Sequence, residues 1–120
     1  MSKIKLQTLT LIFSLLFTQS GQGAQSFLNG IEDIPLFKEM RNIDNSLILF
    51  DKIDGRYVST EIRGDYESKE VLNFYDKILP NLGWEKIDSL KYQRSSEILE
   101  IIPQKLDNEQ SFIFSIFPEK

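Results

Sequence analysis

The chain has no cysteine and no histidine among its 120 residues. Without histidine it lacks the side chain that titrates unaided near neutrality, the commonest metal-binding ring, and the base of a Ser-His-Asp arrangement. Without cysteine, thiol nucleophiles, thiolate metal sites, disulfides and lipid attachment at an N-terminal cysteine are all excluded. Clustered positive charge is missing too. Lys52, Arg56 and Arg63 are interleaved with Asp51, Asp54, Glu61 and Asp65, so neither nucleic acid nor an anionic membrane surface is an expected partner. No ligand spacing or phosphate-cradling motif asks for a metal or cofactor, and none is expected. Carboxylate, hydroxyl, lysine and arginine chemistry is what remains.

What is present begins with a leader. "MSKIK" carries Lys3 and Lys5 and no acid, "LQTLTLIFSLLF" is an apolar block, and "TQSGQGAQ" follows with small residues. Basic start, short apolar centre and small-residue zone are the order of a secretory signal peptide. Cleavage after Gly23 puts Gly21 and Gly23 at the small-residue positions, and Thr18 and Ser20 offer a second option. A retained anchor or an ordinary buried helix are the alternatives, but a membrane span needs about 20 apolar residues. Lys3 and Lys5 are the only charges in residues 1–23. The remaining 97 residues therefore hold 12 basic and 18 acidic side chains, a net charge of −6. The mature chain is expected in the periplasm, acidic and without a stable membrane span.

The division expected is leader 1–23, an irregular segment 24–45, and one α+β domain over 46–120. "SLILFD" (46–51) and "RYVSTEIRG" (56–64) are rich in β-branched and aromatic residues. Asp54-Gly55 between them signals a hairpin, because a tight turn there needs positive φ. Residues 70–84, "EVLNFYDKILPNLGW", show helical periodicity: Val71, Tyr75, Ile78 and Leu82 share an arc flanked by Leu72, Phe74 and Leu79. Ser68 is the expected N-cap. Pro80 should end or kink the regular helix, Gly83 should take the left-handed conformation, and Trp84 should fold back over the helix end. "WEKID", "KYQR", "EILEIIP" and "SFIFSIFP" read as four more strands. The order ββαββββ predicts an antiparallel sheet with one long helix packed across one face.

Candidate chemistry is sparse. Asp51 and Asp54 lack the ligand spacing of a calcium loop and fit the hairpin turn. Glu61, Asp65, Glu67 and Glu70 are the densest carboxylates, but nothing holds two of them at a working separation, and a solvated rim accounts for them. Arg94 and Glu97 flank "SS" and suit a cross-strand ion pair. Tyr75, Trp84, Tyr92, Phe112 and Phe114 either fill the core or line a cavity for an apolar ligand.

Residues 33–101 resemble small exported bacterial proteins of unknown function. The resemblance rests on the Ile34-Pro35-Leu36-Phe37 entry, Gly64, Ser68, Glu70-Val71, Phe74-Tyr75, Leu79 and Gly83-Trp84, with Arg94, Glu97 and Leu99 later. Leu36-Phe37-Lys38 departs from the family's pattern after the proline. What the resemblance implies is a sheet-plus-helix domain at the cell envelope, and no activity.

The terminal strand raises the last question. Phe112, Phe114 and Ile116 lie on one side, Ile113 and Phe117 on the other, so neither face is polar as a wet face should be. Residues 24–45 would cover the second face, or a second copy, or an envelope protein; Ile113 and Phe117 are the candidate interface. The expected function is that of a non-catalytic binding or structural module of the envelope. The alternative is a small apolar- or lipid-ligand-binding protein, with a carboxylate-only enzyme a third possibility.

Overall fold

A computed structural model describes residues 25–120; the expected leader lies outside the described residues. The elements are β1 (Phe27–Leu28), β2 (Ile31–Pro35), β3 (Arg41–Asn42), β4 (Ile48–Lys52), β5 (Gly55–Gly64) and α1 (Ser68–Ile78). A 3-10 turn at Leu79–Leu82 follows, then β6 (Glu85–Asp88), β7 (Lys91–Arg94), β8 (Glu97–Lys105) and β9 (Gln110–Pro118). β1 and β2 form a separate hairpin. The others make one antiparallel sheet in the order β3-β5-β9-β8-β7-β6, with β4 also paired to β5. The protein is thus α+β, an antiparallel sheet with one helix packed against it.

Segment 24–45 is not irregular, as its sequence suggested, but contributes three short strands. Asn29-Gly30 turns β1 into β2, with Leu28 opposite Ile31 and Gly30 at φ 78. A side chain at Gly30 would also displace the end of the Leu47 side chain, since a Cβ there would lie 2.6 Å from its Cδ1. β3 and β4 share one edge of β5. Between them the chain bulges through Asn45, itself left-handed at φ 69. The ladder is kept whole by substitution: the Ile43 amide donates to the Glu61 carbonyl, and the Ser46 hydroxyl accepts from the Glu61 amide.

Helix α1 starts one residue earlier than expected. Glu67, not Ser68, is the cap residue, and it caps without its side chain; its carbonyl accepts from the Glu70 and Val71 amides. Pro80 ends the regular helix by forcing the tighter turn. Gly83 at φ 92 closes it, and the Trp84 amide donates back to Leu79 O at 3.0 Å. The helix buries Val71 and Tyr75.

One helix of 11 residues is about 16 Å long and 10 Å wide, whereas six strands side by side span about 25 Å. The β1–β2 hairpin and residues 36–40 cover the rest. Leu28, Ile31, Ile34, Leu36, Phe37 and Met40 belong to the same buried cluster as Val71, Tyr75, Trp84 and Phe114. The Tyr75 hydroxyl ties the two covering pieces together, donating to Pro35 O at 2.9 Å and accepting from the Phe37 amide at 3.1 Å. Among the described residues no helix is long and apolar enough to cross a membrane, which leaves β-barrels unaddressed.

Candidate functional site

Residues two apart on a strand share a face, and residues opposite one another in the register do too. The inner face, under α1, carries Val58, Thr60 and Ile62 of β5, Phe112, Phe114 and Ile116 of β9, Leu99 and Ile101 of β8, and Tyr92 of β7. Each of these is buried. Tyr75, Trp84, Tyr92, Phe112 and Phe114 show no more than 1% of their surface. Tyr75 meets Phe114 edge-on at 4.9 Å, and the Tyr92 hydroxyl reaches the Asp76 carboxylate at 2.9 Å. Among the described residues these rings pack between helix and sheet.

Arg94 sits across the end of this core. Its guanidinium lies 4.3 Å from the Trp84 ring centre, donates to Asp33 at 2.7 Å and to Leu82 O at 3.0 Å. The expected Arg94–Glu97 ion pair is therefore not made. Glu97 pairs instead with Arg56, at 2.7 and 3.1 Å. The two face each other across Pro118, the residue opposite Glu97 in β9, so the pairing spans three strands. Arg94 is spent on the helix end and the β1–β2 hairpin.

The outer face has a different character. At one end it is polar: Glu61 accepts from Arg63 at 2.7 Å and from the buried Ser111 hydroxyl. These bonds, Arg63 first, hold the Glu61 carboxyl below its ordinary value. At the other end it is apolar. Phe50 stands opposite Tyr57, Phe117 opposite Ile98, and one more step of the β5–β9 register places Tyr57 beside Phe117. The result is a row of four apolar side chains running across four strands. Phe50 and Tyr57 stack at 5.0 Å with their planes 13° apart, and the Lys52 ammonium lies 5.2 Å from the Tyr57 ring. Beside the row is a shallow groove of about 190 Å³ lined by Ile48, Phe50, Tyr57 and Phe117.

Ile113 and Phe117 both lie on this outer face, each partly exposed, Ile113 opposite Glu61 and Ile102. Residues 25–45 do not cover them, contrary to the expectation from the sequence that segment 24–45 does. Those residues are held on the helix side by the Tyr75 and Arg94 bonds, where a single helix leaves the sheet open. Phe50, Tyr57 and Ile98 join this face as well, and none of them stood out in the sequence as a site residue. Phe50 belongs to "LILF", whose unbroken apolar run lacks the alternation of a half-covered strand, and that was the available signal.

The acidic residues are dispersed. Glu70 pairs with Lys38 at 2.7 Å and Asp54 accepts from Tyr57 at 3.1 Å. Asp65 and Glu67 border an open hollow of about 310 Å³ together with Asp107 and Glu109, and Glu109 is engaged by Arg41 through two bonds of 2.7 and 2.9 Å. Among the described residues no group of three or more acidic side chains is placed to hold a metal ion. Compared with protein-family models, with curated proteins and with solved structures, the chain finds no match.

Proposed function

We propose that this is an exported, non-catalytic module of the bacterial envelope that binds a partner protein through the outer face of its sheet. One observation carries the reading. The row Phe50, Tyr57, Phe117 and Ile98, with Ile113 nearby, is left without a covering layer among the described residues, and an open apolar patch with a polar rim is the usual mark of an interface. The resemblance to small exported proteins and the leader-like order of residues 1–23 support the envelope as the place. The enclosure of the five aromatic rings between helix and sheet favours this reading over an apolar-ligand cavity.

The test has two arms. N-terminal sequencing of the protein from a fractionated native host should find a chain starting between Gly21 and Gln25 in the periplasmic fraction; a full-length cytoplasmic chain overturns the export reading. Cross-linking in that fraction should then yield a discrete adduct that the double variant Ile113→Lys, Phe117→Lys loses.

A further inference from the structure

The two lateral edges of the sheet are built differently. β6 closes one side with Glu85, Lys86, Ile87 and Asp88, and its register slips between Lys86 and Asp88. Charges and an irregularity are devices that discourage another strand from adding to an edge. β4 closes the other side over residues 48–52; it has no register slip, and its charges, Asp51 and Lys52, are confined to its C-terminal end. It pairs with β5 through five consecutive residues without a slip. It presents Ile48, Leu49 and Phe50 at 58%, 57% and 45% exposure, next to exposed Leu47 and a fully exposed Ile53 at the turn. Among the described residues no strand lies on its far side.

Which backbone groups are open follows from the neighbouring strand. The Glu61 amide and carbonyl point toward the β3–β4 side, to Ser46 and Ile43. Antiparallel bonding alternates along a strand, so Ser59, Tyr57 and Gly55 point the same way and bond to Ile48, Phe50 and Lys52. Leu49 and Asp51 therefore turn their amides and carbonyls outward.

We propose that β4 pairs antiparallel with β4 of a second copy about a two-fold axis at Leu49, making one continuous sheet. Chemistry selects this register among those the hydrogen bonds allow. Centred on Leu49, the outward-facing Leu49 meets the partner's Leu49 in a hydrogen-bonded pair. Ile48 then meets the partner's Phe50 on the outer face, twice by symmetry. Asp51 lies opposite the partner's Leu47, and the two Asp51 carboxylates are about 14 Å apart. A centre at Phe50 would bring those carboxylates to a diagonal of about 7–8 Å. A centre at Ile48 would set Phe50 against the partner's Ser46 and run the strand into the turn at Asp44 and Asn45. The Leu49 register also joins the two outer-face rows into one band through Ile48 and Phe50.

The area sets the strength. Roughly seven residues a side, against the 20–30 of a standard interface, make a reversible contact and not a permanent one. The dimer should form in the range of tens to hundreds of micromolar, on the order expected of small interfaces. It goes beyond the outer-face reading and does not depend on export.

Amide hydrogen exchange of the purified, labelled protein tests the pairing residue by residue. The Leu49 and Asp51 amides should slow as concentration rises from about 10 µM to about 1 mM, the range over which such a dimer fills, with the Ile48 and Phe50 amides slow throughout. Leu49→Pro removes an amide that serves only the partner, and should weaken association about tenfold or more by sedimentation. Leu49→Lys should do the same with the β4–β5 ladder intact, and serves if the proline variant does not fold. Leu49 and Asp51 amides that exchange equally fast at both concentrations overturn the proposal. So does self-association that survives Leu49→Lys but is lost in Phe117→Lys, which would locate the contact on the outer face and leave the proposed function standing.

Discussion

On β5, Val58, Thr60 and Ile62 lie beneath α1 and the β1–β2 hairpin, while Tyr57, Ser59, Glu61 and Arg63 of the same strand face no second layer among the described residues. Both faces carry aromatic rings, but they use them differently. Inner rings are enclosed on all sides and hold the domain together through area removed from water. Outer rings are stacked in a row with one side open, so they add cross-strand contact and retain apolar surface for something else. A small domain without disulfides has to concentrate its stability in one place. Here that place is the inner face, which leaves the outer face free to be specialised.

The largest expected effect follows directly. Trp84→Ala removes a fully buried ring and should cost about 3–5 kcal/mol, most of the stability of a domain this size. Phe117→Ala, on the outer face, should cost no more than about 1–2 kcal/mol because part of its ring is already wet. Denaturant melts of the two variants measure the contrast, and equal costs would erase it. Tyr75→Phe comes next. It leaves the Phe37 amide and the Pro35 carbonyl without their partner, at about 1–3 kcal/mol. The loss should appear first as faster exchange of the Phe37 amide, since the hydroxyl is the clamp on the N-terminal segment.

The helix, its Pro80 ending, Gly83 and the last four strands could be read from the sequence because each is announced locally. Periodicity marks the helix, and short alternating runs between turns mark the strands. The N-terminal segment was missed although it held an equally local sign. Asn29-Gly30 is a hairpin dipeptide like Asp54-Gly55, but the runs beside it are only two and five residues long. Where that segment packs could not be read at all. It depends on the mismatch between the width of one helix and of six strands, and on two long-range bonds, Tyr75 to Pro35 and Arg94 to Asp33. The Arg94–Glu97 pairing failed for the same reason: register put the two residues opposite each other, and tertiary partners took both. The aromatic residues of the inner face were singled out as core or cavity lining, and only their enclosure could decide between the two.

The inner tyrosines and the outer-face Glu61 should also act at opposite ends of a titration. Burial, offset in part by the Phe37 amide bond, pushes the Tyr75 phenol well above its ordinary value of 10.0, and burial with the Asp76 bond raises Tyr92 likewise. A group whose value is raised on folding stabilises the fold below its unfolded value and loses that contribution as pH rises. Stability should therefore fall above about pH 10, and less steeply in Tyr75→Phe. Glu61 on the outer face is lowered from 4.5 by Arg63 and Ser111. Its contribution is present above that value and is lost as pH falls through the lower folded one. With no histidine to titrate, the curve between these limits should be nearly flat. Melts from pH 2 to pH 12 of the parent, Tyr75→Phe and Glu61→Gln check both ends. If Glu61→Gln changes the alkaline limb and Tyr75→Phe the acid limb, the assignment of the acid end to Glu61 and the alkaline end to Tyr75 is wrong.

For two substitutions at once, the double variant Ile113→Lys, Phe117→Lys should have only a modest effect on stability. Both positions are partly exposed on the outer face. A lysine can lay its stem along Ile102 or Ile98 and keep its ammonium in water, so folding should survive with a loss of about 1–3 kcal/mol for the pair, small against two core substitutions. The neighbours favour this outcome: Ile113 on β9 lies opposite Glu61 of β5, and Glu100 lies between the two sites opposite Ser115, so each new charge has a carboxylate nearby. What the variant should lose is the envelope adduct, because the apolar row is cut at Phe117, one of its two middle members. Folding and adduct both retained would mean that the outer face is merely exposed. Unfolding would mean that the outer rings carry structural weight comparable to the inner ones, and the contrast between the two faces would fail at its strongest point.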